Sequence, residues 1–261
     1  MEKEIVKILK GIEKKNNIKI LFAVESGSRA WGMESENSDY DVRFVYYRNK
    51  NKYLNLNLPA EVLTANFDKK CKPTKPEGCF IDIIGFDLFK FLRMLTQSNP
   101  TCIEWLNSDI VYYGKQNKVF QDFAKNNFNP VAMYYHYKNM CAANYNKYIK
   151  SSSKLTYKKY LYAMRGLVSA KYIITKGKLP NIKFPELLNE INGKGIVADN
   201  IIKELQNIIR LKKELKEKDI VQNYQHIDEY IESFLKELLQ LEYNKKPSNQ
   251  DLLNKEILKI L

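Results

Sequence analysis

The chain is organised around the stretch GSRAWGMESENSDYD, residues 27–41. It joins an apolar segment, residues 18–24, to residues 41–47, which are rich in aromatic and β-branched side chains, and both compositions predict strands. Side chains two positions apart on a strand share a face, so Asp39 and Asp41 point the same way. Mg²⁺ usually takes one or two protein carboxylates together with waters and substrate phosphates. Two carboxylates after a small-residue turn therefore favour a nucleotide-and-metal site.

The turn before these carboxylates has residue types that suit phosphate. Gly27 lets the backbone approach a ligand closely. A helix that opens at about Ser28 would present unpaired amide groups and a positive dipole end to an anion, and the Ser28 hydroxyl adds another donor. Arg43 shares the face of both aspartates, where it either contacts substrate phosphate or neutralises the acidic pair.

A third carboxylate comes from a later predicted strand. Residues 79–84, CFIDII, are apolar except for Asp82, which lies on the opposite face from its isoleucine neighbours. A lone charge in a buried strand is costly unless it is paired or bound to a metal. Asp82 is therefore predicted to join Asp39 and Asp41, whereas Asp87 is predicted to cap the helix that follows.

Charge gives a weaker indication than these motifs. The 261 residues carry a formal net charge of +13, and clustered Lys and Arg side chains attract phosphates. Residues 48–78 are polar and rich in proline, which predicts an irregular excursion, and they end in a basic cluster at Lys69, Lys70, Lys72 and Lys75. Abundant Lys, Asn and Ile also fit a simple composition bias. Net charge alone therefore leaves nucleic-acid binding open.

Several classes of protein are disfavoured by what the sequence lacks. The four cysteines form no Cys-x-x-Cys pair and only two histidines are present, so a zinc site is not expected. The N-terminal segment lacks the apolar core of a signal peptide, and no segment approaches the ~20 apolar residues that a membrane helix needs. We expect reduced thiols, no membrane partner and a cytoplasmic location. The oligomeric state is not given by the sequence.

Helical periodicity dominates the second half of the chain. The change predicts a catalytic domain at residues 1–128 and an all-helical domain at residues 129–261. Among the predicted helices are residues 199–218 and residues 228–244, both bounded by turn-forming residues.

One predicted helix of the second half carries basic side chains in a pattern. Lys158, Tyr162 and Arg165 fall at intervals of four and three, so they lie on one helix face, with Lys159 beside them. The pattern fits a solvated basic face, and it also fits a phosphate-binding wall directed at the acidic site.

The motifs taken together resemble a known family. The order Gly27-Ser28, then Asp39-x-Asp41, then a later Asp82 resembles the signature of the DNA polymerase β-type nucleotidyltransferases. A closer resemblance is to the bacterial and phage predicted nucleotidyltransferases called the RNA repair pathway DNA polymerase beta family. It extends from the first strand to about residue 188 and rests on GSRAWG at residues 27–32, SDYDVRF at 38–44, DIIGFD at 82–87, SNP at 98–100, EWL at 104–106 and KYLYAMR at 159–165.

This resemblance implies an α/β nucleotidyltransferase domain with a small mixed sheet, followed by helices. It also implies transfer of a nucleoside monophosphate from an NTP to a hydroxyl acceptor. Asp39, Asp41 and Asp82 would be catalytic and would hold two Mg²⁺ ions, for which Mn²⁺ could substitute. The nucleotide would be bound by Gly27, Ser28, Arg29, Arg43, Lys158, Lys159, Tyr162 and Arg165.

The acceptor is less determined than the reaction. The positive charge and the basic cluster favour the 3′ end of an RNA such as tRNA, with the NTP and the RNA as partners. The same residues would also serve an antitoxin-like or antibiotic-modifying enzyme that adenylylates a protein or a small molecule. A non-catalytic nucleic-acid-binding protein is a third possibility, against which the full set of carboxylates argues. Which NTP is used is not given by the sequence.

Overall fold

The computed structural model describes residues 1–152, 154–214, 221, 223–239 and 250–261. The strands are β1 (Lys19–Glu25), β2 (Tyr40–Tyr47), β3 (Val62–Phe67), β4 (Ile81–Asp87) and β5 (Val111–Gly114). The helices are α1 (Glu2–Asn16), α2 (Gly27–Ala30), α3 (Leu88–Thr96), α4 (Pro100–Asn107), α5 (Lys118–Asn127), α6 (Pro130–Tyr148), α7 (Tyr157–Lys176), α8 (Phe184–Ile191), α9 (Asp199–Glu214), α10 (Gln225–Lys236) and α11 (Asp251–Ile260).

The strands form one mixed sheet in the order β3-β4-β2-β1-β5. The β2 and β4 strands run parallel, and the other neighbouring pairs are antiparallel. Helix α1 has apolar side chains at helical spacing, and its Ile5 and Leu9 are fully buried in a cluster with Val42, Phe44 and Ile83 of the sheet. The predicted α/β class with a small mixed sheet and later helices is confirmed.

One sequence-based expectation about the sheet was wrong. Residues 48–78 were predicted to be an irregular excursion, yet they contain β3, which pairs antiparallel with β4 along its whole length. The strand lies at the edge of the sheet, where Val62 keeps 38% of its surface exposed. An edge strand buries little of each side chain, so its apolar pattern is weak and the pairing with β4 decides its conformation.

The cap predicted for α3 is confirmed, and it belongs to a buried polar group. The Asp87 carboxylate accepts a hydrogen bond from the Phe89 amide at 3.0 Å. It also pairs with the Arg48 guanidinium at 3.2 Å and accepts a hydrogen bond from the Tyr53 hydroxyl at 2.8 Å. Burial raises the pKa of Asp87, while these partners favour its charged form. Asp87 is therefore fully engaged in the structure of the sheet edge.

The chain forms two compact units. The first comprises Met1–Ala30, Asp39–Phe128 and the described residues of Lys246–Leu261, and the second comprises Trp31–Ser38 and the described residues of Asn129–Lys245. This division differs from the predicted domains, 1–128 and 129–261, at two places.

Specific contacts account for both differences. In the first unit, α11 packs on α5, where the Asn117 amide donates to the Glu256 carboxylate at 2.8 Å and Leu253 is buried. In the second unit, the segment Trp31–Ser38 is held by the Phe184 amide, which donates to the Trp31 carbonyl at 2.9 Å. The buried Lys212 ammonium of α9 also donates to the Met33 carbonyl.

The second unit is built on the close packing of α6 and α7. A Cβ atom at Gly166 of α7 would lie 2.8 Å from the Tyr137 carbonyl of α6, so only glycine permits this approach. The predicted helix 199–218 appears as α9, and its residues 215–218 lie outside the described residues. The predicted helix 228–244 appears as α10, which begins earlier, at Gln225, and ends at Lys236, so residues 237–239 are not helical, and 240–244 lie outside the described residues. No helix in the described part of the chain is long and apolar enough to cross a membrane.

Candidate active site

The parallel pairing of β2 with β4 brings two of the predicted carboxylates together. Asp41 and Asp82 are direct partners in the register of these strands, and both side chains lie on the face opposite the α1 core. They are partly exposed, at 29% for Asp41 and 33% for Asp82, so both are accessible to solvent. Adjacent strands lie about 4.8 Å apart. The sheet therefore holds two like charges side by side, which requires a compensating cation.

Arg43 supplies that cation in this structure. Its Nη2 atom lies 3.0 Å from Asp41 Oδ1 and 2.8 Å from Asp82 Oδ2. Its Nη1 atom donates to the Asp82 carbonyl at 2.9 Å and to the Val42 carbonyl at 3.0 Å. Of the two roles that the sequence left open for Arg43, the geometry corresponds to neutralisation of the acidic pair. The place between the carboxylates is one that binds a positive charge.

Asp39 and Arg29 lie beside the first residue of β2, Tyr40. Asp39 directly precedes the strand and is exposed. Its carbonyl accepts a hydrogen bond from Arg29 Nε at 3.2 Å, and the Arg29 guanidinium lies 4.0 Å from the centre of the Tyr40 ring. Arg29 is thus held beside the main chain that leads to the carboxylates. The helix predicted to open near Ser28 is the single turn α2, and Ser28 in it is buried.

Gly27 brings the turn into contact with Asp41. Its φ angle is +60°, in the left-handed region, and a Cβ atom there would lie 2.0 Å from Asp41 Oδ2. The neighbouring Ser26 amide donates to the Asp41 carbonyl at 2.8 Å. The small-residue turn and the carboxylate strand are therefore in direct contact, which only glycine permits at this position.

Sequence reasoning missed one buried acidic residue of this site, Glu25. It is the last residue of β1 and is 1% exposed. Its Oε1 atom accepts a hydrogen bond from the Asp41 amide at 2.7 Å, and its other oxygen accepts one from the Tyr112 hydroxyl. Burial raises the pKa of Glu25 to about 7, the Asp41 charge adds to the rise, and the hydrogen bonds oppose it. A charged residue directly after an apolar strand was the available signal.

The donor types at this site are those that suit the magnesium implied by the family resemblance. Asp39, Asp41 and Asp82 offer carboxylate oxygens, the hard ligands that Mg²⁺ prefers. The Arg43 guanidinium between two of them is a stand-in cation. Among the residues that the structure describes, no three His, Cys, Asp or Glu side chains are grouped closely enough to hold a metal ion. The metal role of the three aspartates stays a prediction.

The four predicted residues of α7 lie in the second unit and have partners there. Arg165 is buried, at 3% exposure, and its guanidinium lies 4.0 Å from the centre of the Trp31 ring. The Tyr162 ring meets the same Trp31 edge-on at 5.2 Å, and Lys158 Nζ lies 5.7 Å from the Tyr162 ring. Lys159 turns away and donates to Ser152 Oγ at 3.0 Å and to the Lys154 carbonyl.

Burial of Arg165 argues against a simply solvated face on α7. The nucleotide-binding role of these four residues stays a prediction.

Comparison with known proteins finds a family model, a relative and a solved structure that match this chain. The model of the RNA repair pathway DNA polymerase beta family matches residues 1–258. The chain is 33% identical over 255 residues to the uncharacterized protein YcgL of Bacillus subtilis (strain 168), covering 97% of this chain and 92% of that protein. A crystal structure of a nucleotidyltransferase-like protein from Exiguobacterium sibiricum 255-15 aligns over 98% of this chain and 80% of that chain. Its 11% identity and TM-score of 0.34 are too low to support a conclusion about the fold.

The family match and the arrangement of the Gly27 turn with Asp41 and Asp82 are those of a nucleotidyltransferase-like protein. Because the family model spans nearly the whole sequence, the chain belongs to the RNA repair pathway DNA polymerase beta family.

Proposed function

We propose that this protein transfers a nucleoside monophosphate from an NTP to a hydroxyl acceptor, which we infer to be the 3′ end of an RNA. The acceptor oxygen forms a bond to the α-phosphorus of the NTP. The bond between that phosphorus and the oxygen that joins it to the β-phosphorus breaks, and pyrophosphate leaves. The observation that carries the proposal is the in-register pair of Asp41 and Asp82 beside the Gly27 turn. Paired carboxylates next to a tight turn suit a metal-assisted displacement at phosphorus.

Most of the predicted site residues in the first unit have a role in this proposal. Asp39, Asp41 and Asp82 would hold Mg²⁺, which when bound neutralises the triphosphate and lowers the pKa of the attacking hydroxyl. The Ser28 hydroxyl and the turn amides would hold the phosphates, which can come close because Gly27 has no side chain. Arg43, which pairs with both Asp41 and Asp82, would neutralise part of the charge of this acidic pair.

A basic loop in the same unit supports a nucleic-acid acceptor. The connection from β3 to β4 carries four exposed lysines, and within the described part of the chain none of them forms an ion pair. Asp68 Oδ1 accepts hydrogen bonds from two amides of this turn, at 2.8 Å and 2.9 Å, which fixes its shape. The lysines are Lys69, Lys70, Lys72 and Lys75.

The basic loop also leads directly to a carboxylate strand. Lys69 Nζ lies 5.1 Å from the centre of the Phe80 ring, which meets the Tyr40 ring edge-on. Phe80 comes two residues before Asp82. Exposed lysines with an aromatic ring beside them suit a surface that binds a single-stranded backbone. The basic loop is therefore the surface of the first unit that we propose for the acceptor strand.

The identity of the acceptor is tested by label transfer. The protein is incubated with Mg²⁺, each α-labelled NTP in turn, and total RNA, cell protein or a small-molecule extract. We expect label in the RNA fraction, at 3′ ends, and pyrophosphate released in equal amount. Label in the protein fraction alone would contradict an RNA acceptor and favour adenylylation of a protein. Absence of label in every fraction would contradict the transferase activity.

Removing the positive charge of the basic loop is expected to weaken RNA binding without affecting NTP binding. In the quadruple variant K69A/K70A/K72A/K75A we expect the KM for RNA to rise at least about tenfold. The slope of log KM against log salt concentration should become shallower by up to about 3, since each lost phosphate contact on a single strand contributes about 0.7. The KM for the NTP should not change. Steady-state kinetics at several salt concentrations measure all three.

A matched variant controls for net charge in this prediction. Lys3, Lys7, Lys10 and Lys14 are exposed on α1 of the same unit, and their replacement by Ala removes the same charge. If both quadruple variants lose RNA affinity equally, general electrostatic attraction is responsible and the loop is not a specific acceptor surface.

A further inference from the structure

We propose that Glu25 is a positioning residue for the transfer reaction proposed above, one that fixes the main chain of Asp41 so that its carboxylate faces the reacting phosphate. The inference rests on that proposed function for its catalytic consequence. Its structural part concerns the hydrogen bonds at one end of the sheet and can be tested without any turnover.

The first argument comes from the way in which β1 ends beside β2. The register pairs Glu25 with Val42, so Asp41 lies one residue beyond the last pair of the ladder. The Asp41 amide would have no main-chain acceptor on that side, and Glu25 Oε1 accepts its hydrogen bond at 2.7 Å. The Asp41 carbonyl accepts from the Ser26 amide at 2.8 Å. A side chain thus continues the ladder to the residue that carries the carboxylate.

The second argument is that Glu25 is itself held rigidly. Its amide donates to the Ile110 carbonyl at 2.9 Å, and its carbonyl accepts from Ser108 Oγ at 2.7 Å. The second carboxylate oxygen accepts from the Tyr112 hydroxyl of β5. Both oxygens therefore have donors, although the side chain is almost completely buried. A residue held both at its main chain and at both carboxylate oxygens can hold its partner to a fraction of an ångström.

The third argument is the cost in free energy of burying the Glu25 carboxylate. A buried carboxylate is expensive unless its hydrogen bonds are satisfied, and Glu25 lies near the like charge of Asp41. An apolar residue would end β1 more favourably if only packing mattered. Misplacement of a reacting group by 1 Å can lower the rate by about 10²-fold. Precise placement of Asp41 therefore explains why a carboxylate is kept at this buried position despite its cost in stability.

Two substitutions at Glu25 separate positioning from charge. Glu25→Ala removes the acceptor for the Asp41 amide, so we expect kcat to fall by about 10–100-fold with the KM for the NTP within about twofold. Glu25→Gln keeps an acceptor oxygen, and the Tyr112 hydroxyl can rotate to accept from the new amide. We expect Glu25→Gln to restore most of kcat. Equal losses in the two variants, or kcat unchanged in Glu25→Ala, would overturn the proposal.

Amide hydrogen exchange measured by NMR gives a readout that needs no turnover. In Glu25→Ala we expect the Asp41 amide to exchange at least about tenfold faster than in the wild type, with the Phe44 amide inside β2 unchanged. Glu25→Gln should keep Asp41 protected. If the wild type transfers no nucleotide, the proposed function fails, while this measurement still decides whether Glu25 fixes Asp41. Unchanged exchange at Asp41 would refute it.

A second pair of variants keeps the test decisive if Glu25→Ala does not fold. Tyr112→Phe removes the hydroxyl that donates to Glu25 and orients it. We expect this variant to have a severalfold lower kcat and faster hydrogen exchange at the Asp41 amide. Tyr113→Phe is the matched control, because the Tyr113 hydroxyl donates to Glu13 at 3.2 Å and has no bond to Glu25. Identical kinetics and exchange in the two variants would contradict the positioning role.

Discussion

Replacement of Asp41 by Asn is expected to lower nucleotide transfer by about 10³-fold, equivalent to about 4 kcal/mol of transition-state stabilisation. Asp41 is the carboxylate that contacts the Gly27 turn and pairs with Asp82 across β2 and β4. The amide keeps the size of the side chain but cannot carry the charge that a metal-bound triphosphate requires. Single-turnover transfer of labelled NTP to RNA measures the loss.

The fold should tolerate this substitution, so the loss can be assigned to chemistry. Arg43 retains Asp82 as an ion-pair partner at 2.8 Å in the Asn variant, and the like charge beside it is gone. We therefore expect an unchanged or slightly raised Tm. Asp122→Asn on α5, where the partly exposed carboxylate pairs with Lys118, is the matched control and should transfer normally. Full transfer by the Asp41 variant would refute its catalytic assignment.

Replacement of Gly27 by Ala is expected to have the second-largest effect. The new Cβ atom would lie 2.0 Å from Asp41 Oδ2, so the turn or the carboxylate must move. A displacement near 1 Å costs about 10²-fold in transfer rate. Overpacking and the left-handed backbone together should lower the free energy of unfolding by about 2–5 kcal/mol. Chemical denaturation and transfer kinetics measure the two effects separately.

Gly177 provides a close control for backbone strain. Its φ angle is +62°, almost the same as the +60° of Gly27, but nothing lies within 4 Å of a Cβ atom there. In Gly177→Ala, the free energy of unfolding should therefore fall only by the cost of the left-handed conformation, about 1–2 kcal/mol. The transfer rate should not change. If the two variants lose equal stability and the same transfer rate, contact with Asp41 is not what makes Gly27 necessary.

The strands that carry Asp41 and Asp82 could be predicted because each has a strong local pattern. Apolar and β-branched runs identify β1, β2 and β4, and the period of two places each carboxylate on a face. The parallel register that sets Asp41 directly opposite Asp82 could not be predicted, since it depends on pairing between segments about forty residues apart. Local patterns specify faces, and tertiary pairing specifies neighbours.

The features that the sequence did not reveal depend on contacts over long distances along the chain. Glu25 lies one residue beyond the predicted strand 18–24, and its contacts exist only because β2 and β5 lie on either side of it. The edge strand β3 buries too little for a clear pattern. Helical spacing left open whether Arg165 lies on a solvated face or in a phosphate-binding wall, and it could not predict burial against Trp31, more than 130 residues earlier.

The packing of α11 on α5 has a consequence for how the first unit can be produced by itself. The last helix of the chain contributes Leu253 and Glu256 to the same unit as the sheet. A fragment that stops at residue 128 would lack the buried Leu253 and would leave the Asn117 side-chain amide without its carboxylate partner. Minimal versions of the first unit need α11 supplied, through a linker or as a separate peptide.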